Sequence, residues 1–214
     1  MQIDRLLKKC KILVFSFCAT LLLCNGCTEK QTRENEMESR IVYLQPFHGM
    51  PGAVVNDLAN RLKKYYPAIR INKNIDLPAN AWHAPRKRFK ADSIIKFLKE
   101  QTTPGHFTIG LTDKDISTSK DKIADWGVMG LGYCPGRACV ASSFRLPAKQ
   151  KTGFLFKVAI HELGHTQGLP HCSQKTCYMR DAEGGNPLKE ETAFCARCTL
   201  FLKSKGWTIN KEKN

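Results

Sequence analysis

The run His161-Glu162-Leu163-Gly164-His165-Thr166-Gln167-Gly168-Leu169-Pro170-His171-Cys172 leaves a chain few ways to fold. On a helix, His161 and His165 stand four residues apart and their imidazoles leave one face toward a common point. Glu162 sits beside the first of them, where its carboxylate can reach a water at that point without being a ligand itself. Gly168 can take the positive φ that ends a helix and turns the chain back, which brings His171 round as a third nitrogen donor. Three protein ligands with a fourth position left for water make the catalytic kind of zinc site. Such an ion lowers the water's pKa and polarises a carbonyl, while a carboxylate takes the proton. The preceding Phe154-Leu155-Phe156-Lys157-Val158-Ala159-Ile160 is apolar enough for the buried helix this requires. The alternative, a buried helix whose histidines are satisfied by neighbours, needs three coincidences of spacing and a glutamate besides.

Four cysteines follow without a break. Cys172, Cys177, Cys195 and Cys198 make a C-x4-C and a C-x2-C pair. Two short-spaced pairs mark a closed tetrahedral zinc site of four thiolates, and two disulfides are the other reading. A third pair, Cys134 and Cys139, brackets the turn sequence Pro135-Gly136-Arg137-Ala138. It reads as a disulfide closing a small hairpin, against free thiols.

From His161 to Cys198 the chain resembles the archaemetzincins, a branch of the metzincin metalloproteases. Their motif joins the extended histidine run directly to a four-cysteine zinc site, with a methionine just after the second cysteine. Met179, two residues beyond Cys177, matches that methionine. The resemblance implies a metzincin-like zincin domain with a twisted mixed sheet, an active-site helix and a methionine-bearing turn, its C-terminal segment stapled by the cysteine site. It implies two Zn2+ ions per chain. His161, His165 and His171 would hold the catalytic one, with Glu162 as general base and Met179 as an apolar floor. Cys172, Cys177, Cys195 and Cys198 would hold the structural one. Phe107–Ile116 and Val140–Leu146 look like the family's strands upstream of that helix. The loop between Met179 and Cys195 is slightly shorter than the family pattern. By the same resemblance an edge strand borders the cleft and pairs with substrate main chain, and Cys139–Arg145 is the best candidate for it. Tyr178, beside Met179, is a weaker candidate for oxyanion support. The implied activity is zinc-dependent hydrolysis of peptide or protein substrates, with aminopeptidase action associated with the family. A non-catalytic zinc scaffold and a zinc amidase on cell-wall material are the rival classes.

Periodicity outlines the rest of an α/β chain with a mixed sheet. Strands are expected at 41–47, 69–75, 107–111, 127–133 and 139–144. Helices are expected at 54–66, 91–99, 152–167 and 199–205. His48, His83 and His106 read as surface or packing histidines, and Asp113 and Asp115 as helix caps or turn formers. The formal charge of +15 is spread along the chain and no nucleic-acid motif accompanies it, so nucleic acid is not an expected partner. Nothing in the sequence asks for an oligomer, and a monomer is expected.

The N-terminus reads as an export signal. Arg5, Lys8, Lys9 and Lys11 precede an apolar run from Ile12 to Leu23, too short for a comfortable membrane span. Gly26-Cys27 resembles the end of a bacterial lipobox, although Cys24 stands where leucine is usual. The expectation is a lipoprotein signal peptide over 1–27, cleaved before a lipidated Cys27. An ordinary cleaved signal and an uncleaved anchor are the alternatives. Residues 28–40 follow as a flexible polar tether and 41–214 as the peptidase domain. The expected location is the bacterial cell envelope, membrane-anchored through the lipid.

Overall fold

Segments whose residues alternate between two apolar faces become the central strands, and those with a 3.6-residue apolar stripe become the helices that cover them. A computed structural model describes residues 40–182 and 184–209. Its strands are β1 (Val42–Pro46), β2 (Ile69–Ile71), β3 (Trp82–His83), β4 (Arg88–Lys90), β5 (Phe107–Thr112), β6 (Ile116–Lys120), β7 (Ile123–Val128), β8 (Gly130–Gly132) and β9 (Ala138–Ser142). Its α-helices are α1 (Gly52–Leu62), α2 (Ala91–Gln101), α3 (Lys151–Thr166) and α4 (Ala196–Lys203). The leader 1–27 with Cys27, and all of the 28–40 tether except Arg40, lie outside the described residues.

Five strands form one sheet in the order β2-β1-β5-β9-β8. Its first four strands are parallel, and β8 runs antiparallel to β9 at the edge. A second sheet, β3-β4-β6-β7, mixes both orientations. The expected mixed α/β architecture is therefore present. Helices cover both faces of the larger sheet, as parallel strands require. Along β9, Cys139 and Ala141 pack with Leu155 and Ala159 of α3, whereas Ala138 and Val140 pack with Ile94, Ile95 and Leu98 of α2. Each fully buried leucine or isoleucine here contributes about 1.5–3 kcal/mol of transfer free energy.

That alternation corrects two expectations. β9 is buried along its whole length and hydrogen-bonded on both sides, so Cys139–Arg145 is not an edge strand. The edge belongs to β8. Cys134 and Cys139 are free thiols and not a disulfide. Cys139 is fully buried, turned by the strand's two-residue period into the core under α3, while Cys134 lies on the exposed turn. Two smaller differences follow from pairing. Only Ile69–Ile71 of the expected 69–75 strand joins the sheet, with Ile75 making a lone bridge to Phe47. β3, β4 and β6 have no alternating pattern long enough to announce them.

α3 ends as its glycine requires. Gly168 has φ +92°. Its N–H donates to the His165 carbonyl (2.8 Å), and the Leu169 N–H donates to the Gly164 carbonyl (3.1 Å). These are the two bonds of a Schellman cap, which satisfies carbonyls the helix would otherwise leave bare. Beyond it the chain doubles back. The Cys172 N–H donates to the Met179 carbonyl (2.7 Å), and the Tyr178 N–H to the Ala193 carbonyl (3.0 Å). Tyr178 and Phe194 pack edge-to-face on each other and on Tyr65 just beyond α1, with ring centroids 5.3–6.3 Å apart. Tyr178 is therefore buried in an aromatic core and not offered to the cleft as an oxyanion donor. Trp207 closes this layer against Tyr66.

Candidate active site

The three histidines of the motif converge. Each offers a ring nitrogen, and these atoms lie within 4.8 Å of one another. The other nitrogen of each ring is held. His161 Nδ1 is 2.6 Å from the Tyr178 carbonyl and His165 Nδ1 is 2.8 Å from the Leu169 carbonyl. His171 Nδ1 is 3.2 Å from an Asp181 carboxylate oxygen. A carbonyl can only accept, so His161 and His165 carry their protons on Nδ1. Their Nε2 lone pairs then face each other at 3.1 Å. Two lone pairs at that distance repel unless a cation sits between them. A proton is a poor candidate, because burial and the neighbouring His165 hold the His161 imidazole down at about 3. A metal ion meets the requirement, and carbonyl and carboxylate partners behind the rings are the usual second layer of such a site. Asp181 is one of them, and the sequence carries no signal for it.

Glu162 lies on the same helix face, 8 % exposed. Burial alone pushes its carboxyl up to about 8. Over it runs β8, whose glycines make room. A Cβ at Gly130 would stand 2.6 Å from Glu162 Oε1, and one at Gly132 would stand 2.7 Å from the Glu162 carbonyl oxygen. A strand glycine often marks such a close approach, but nothing in the sequence says that Gly130 and Gly132 face Glu162. Beneath the helix, Met179 is fully buried, and a Cβ at Gly164 would meet its sulfur at 2.5 Å. The three-histidine group opens into a cavity of about 720 Å³, lined by Trp126 and β8 on one side and by Val158, Leu188 and Glu191 on the other.

The four C-terminal cysteines form the second group. Their sulfurs lie within 4.8 Å of one another, and Cys172, Cys177 and Cys198 are buried. All are free, with Cys172 and Cys195 Sγ atoms 3.7 Å apart, far beyond a disulfide bond. Burial pushes the Cys177 thiol up to about 11 and the Cys198 thiol higher still. Cys172 goes the other way. Burial raises it, but hydrogen bonds from the Gln174 backbone, Cys195, Cys198 and Arg197 outweigh that and draw it to about 7. Four crowded sulfurs, two resisting ionisation and one favouring it, suit a thiophilic dication that neutralises them together.

The remaining candidates are structural. His106 accepts from the Ile41 N–H, and His48 pairs with Asp76 at the surface. His83 lies beside Asp125, and Asp115 is bound by Arg145 and Arg88.

A mixed sheet crossed by a histidine-bearing helix, with one three-nitrogen and one four-sulfur group able to bind two zinc ions, defines a zinc metallopeptidase. The profile of Peptidase family M54 matches residues 28–204, and the chain belongs to that family, the archaemetzincins. Its relatives include an archaemetzincin of Halobacterium salinarum, 28 % identical over 176 residues that cover 75 % of this chain and 99 % of the relative. The crystal structure of archaemetzincin from Methanopyrus kandleri superposes with a TM-score of 0.67 at 24 % identity, covering 78 % of this chain and 96 % of that one. That from Archaeoglobus fulgidus, complexed with malonate, gives 0.64 at 27 % identity, covering 75 % and 98 %.

These relatives correct the expected location. A lipobox and a lipid on Cys27 belong to a bacterial envelope protein, whereas the matching archaemetzincins of Halobacterium, Methanopyrus and Nanoarchaeum are archaeal. Among the described residues no helix is long and apolar enough to cross a membrane. Export and membrane anchoring thus have no support beyond the leader's composition.

Proposed function

We propose that Glu162 is the general base of a peptide hydrolase whose catalytic zinc is held by His161, His165 and His171. The observation that carries this is the buried carboxyl beside three ring nitrogens whose far sides are already engaged. Zinc held there would acidify a water and polarise the scissile carbonyl. Glu162 then takes the proton from the attacking water and passes it to the leaving amine. The backbone of β8, the edge strand of the sheet that lines the cleft, pairs with the substrate main chain and lays it across the helix. The paired Nδ1 atoms keep the three rings from rotating, and Met179 supports them from below. Cys172, Cys177, Cys195 and Cys198 would hold the second, structural zinc.

Elemental analysis of the purified full-length protein should give two zinc ions per chain. A mixed peptide library should be cut, the cutting should stop with a chelator and return with zinc, and peptidoglycan fragments should remain intact. Cleavage of peptidoglycan alone would move the protein to the amidases, and no hydrolysis by the two-zinc protein would remove the enzyme reading.

Gly130→Ala tests the β8 contact. The added methyl meets Glu162 Oε1 and Val158 Cγ1, at 2.6 and 2.7 Å. Overpacking of this kind costs about 1–3 kcal/mol when the surroundings must shift. The expected result is a folded protein with at least about tenfold lower kcat/KM, since small misplacements at the reacting centre are costly. Unchanged turnover would separate β8 from the reaction.

A further inference from the structure

Glu191 is a buried acid that the reaction does not use. It is 2 % exposed, yet its Oε2 has no hydrogen-bond partner. An unsatisfied buried carboxylate oxygen is costly and rare, so its persistence asks for a reason. Its position supplies one, because Glu191 lines the same cavity as His161 and Glu162. The link is Lys157, one helical turn before His161. The Lys157 ammonium donates to the Leu188 and Glu191 carbonyls, both at 2.5 Å, which ties the Glu191 backbone to the active-site helix. The same two bonds commit the lysine to main-chain oxygens. Its charge and that of Arg180 lie near the Glu191 carboxyl without forming an ion pair with it, and burial still lifts that carboxyl to about 7.

We infer that Glu191 receives a cationic group of the peptide substrate, an ammonium or guanidinium, and so sets which peptides the cleft accepts. Such a group would give Oε2 the donor it lacks and would add charge complementarity in a partly dehydrated site, where a charge-assisted bond is strongest. The cation can come from a lysine or arginine side chain or from the substrate's free N-terminus. The first makes the protein selective for basic residues, and the second makes it an aminopeptidase. Lys157, facing the same space, offers the opposite preference, for an acidic side chain, but its donors are engaged whereas the Glu191 oxygen is not. The inference rests on the peptidase reading for the substrate class, and on Glu191 alone for its charge.

Two measurements on the full-length, zinc-loaded protein test it. The first compares kcat/KM of wild type and Glu191→Gln on four matched peptides. They carry lysine, norleucine or glutamate at the varied position with an acetylated N-terminus, or norleucine with a free one. The second uses calorimetry to measure binding of the same peptides to Glu162→Gln and to the double variant Glu162→Gln/Glu191→Gln, which needs no turnover. At least one cationic peptide should be favoured over acetylated norleucine by tenfold or more, in kcat/KM and in Kd. Glu191→Gln should erase that gap while the acetylated norleucine peptide is cut and bound as before. The lysine peptide alone responding identifies a basic side chain, and the free N-terminus alone identifies an α-amine. A preference for glutamate, or no preference lost in Glu191→Gln, overturns the inference and leaves the peptidase reading intact. If wild type cuts none of the peptides, that reading fails while binding still decides the role of Glu191.

Discussion

Glu162→Gln should keep two zinc ions per chain and melt close to wild type, yet hydrolyse peptides about a hundred- to ten-thousandfold more slowly. Glutamine has nearly the same shape and fits under the Gly130 backbone, so what changes is the ability to hold a proton. The carboxyl suits that role because burial has lifted it to about 8, toward the range in which a base both accepts and returns a proton near neutrality. A divalent cation beside it draws the value down again. The acidic limb of the kcat/KM profile should therefore lie below 8, with activity rising as pH rises through it, and the substitution should remove that limb along with the activity. Zinc content by elemental analysis and unfolding by circular dichroism separate loss of the base from loss of the metal. A variant that kept most of its turnover would show that another group takes the proton.

Cys177→Ser combined with Cys198→Ser should have the larger effect on the fold. Both side chains are fully buried, and serine binds zinc poorly. A structural zinc site contributes on the order of 10 kcal/mol where its ligands are otherwise unrestrained, comparable with the whole stability of a typical domain. Zinc should fall to at most one ion per chain, with loss of the near-ultraviolet dichroism of the aromatic layer around Tyr178, Phe194 and Trp207. Peptidase activity should fall with it, because His171 adjoins Cys172 and is placed by the same turn. Unchanged zinc content and an unchanged melt would mean the four sulfurs merely pack.

The metal-binding groups were legible because their geometry is local. One helix, one glycine turn and two short cysteine pairs place seven ligands from a stretch of the sequence under forty residues long. What was not legible depends on residues far apart in the chain. Gly130 matters because Glu162 lies under it, and Glu191 because Lys157 reaches it, across about thirty residues in each case. Asp181 is an unremarkable aspartate until the turn after Cys177 carries it to His171. The edge strand was misplaced for a related reason: the apolar run 139–144 says strand, but only pairing with both β5 and β8 says that it is interior. The cysteine pair at 134 and 139 shows the limit of spacing as a guide. A turn sequence brought two thiols near each other in the chain, and the pleat of β9 sent one of them inward.

A single peptide bond joins the last nitrogen donor, His171, to the first sulfur donor, Cys172, and this ranks the two metals. The nitrogen site has three donors, one of them on a half-exposed ring, while the sulfur site has four and is largely enclosed. Under zinc scarcity the nitrogen site should therefore empty first, and the protein should fall silent with its architecture intact, ready to resume when the ion returns. Only deeper depletion strips the sulfur site. That second loss frees the turn that carries His171, so the pocket for the first ion disappears with it. Occupancy of the two sites should thus be a one-way dependence, in which the structural ion is the condition for the working one.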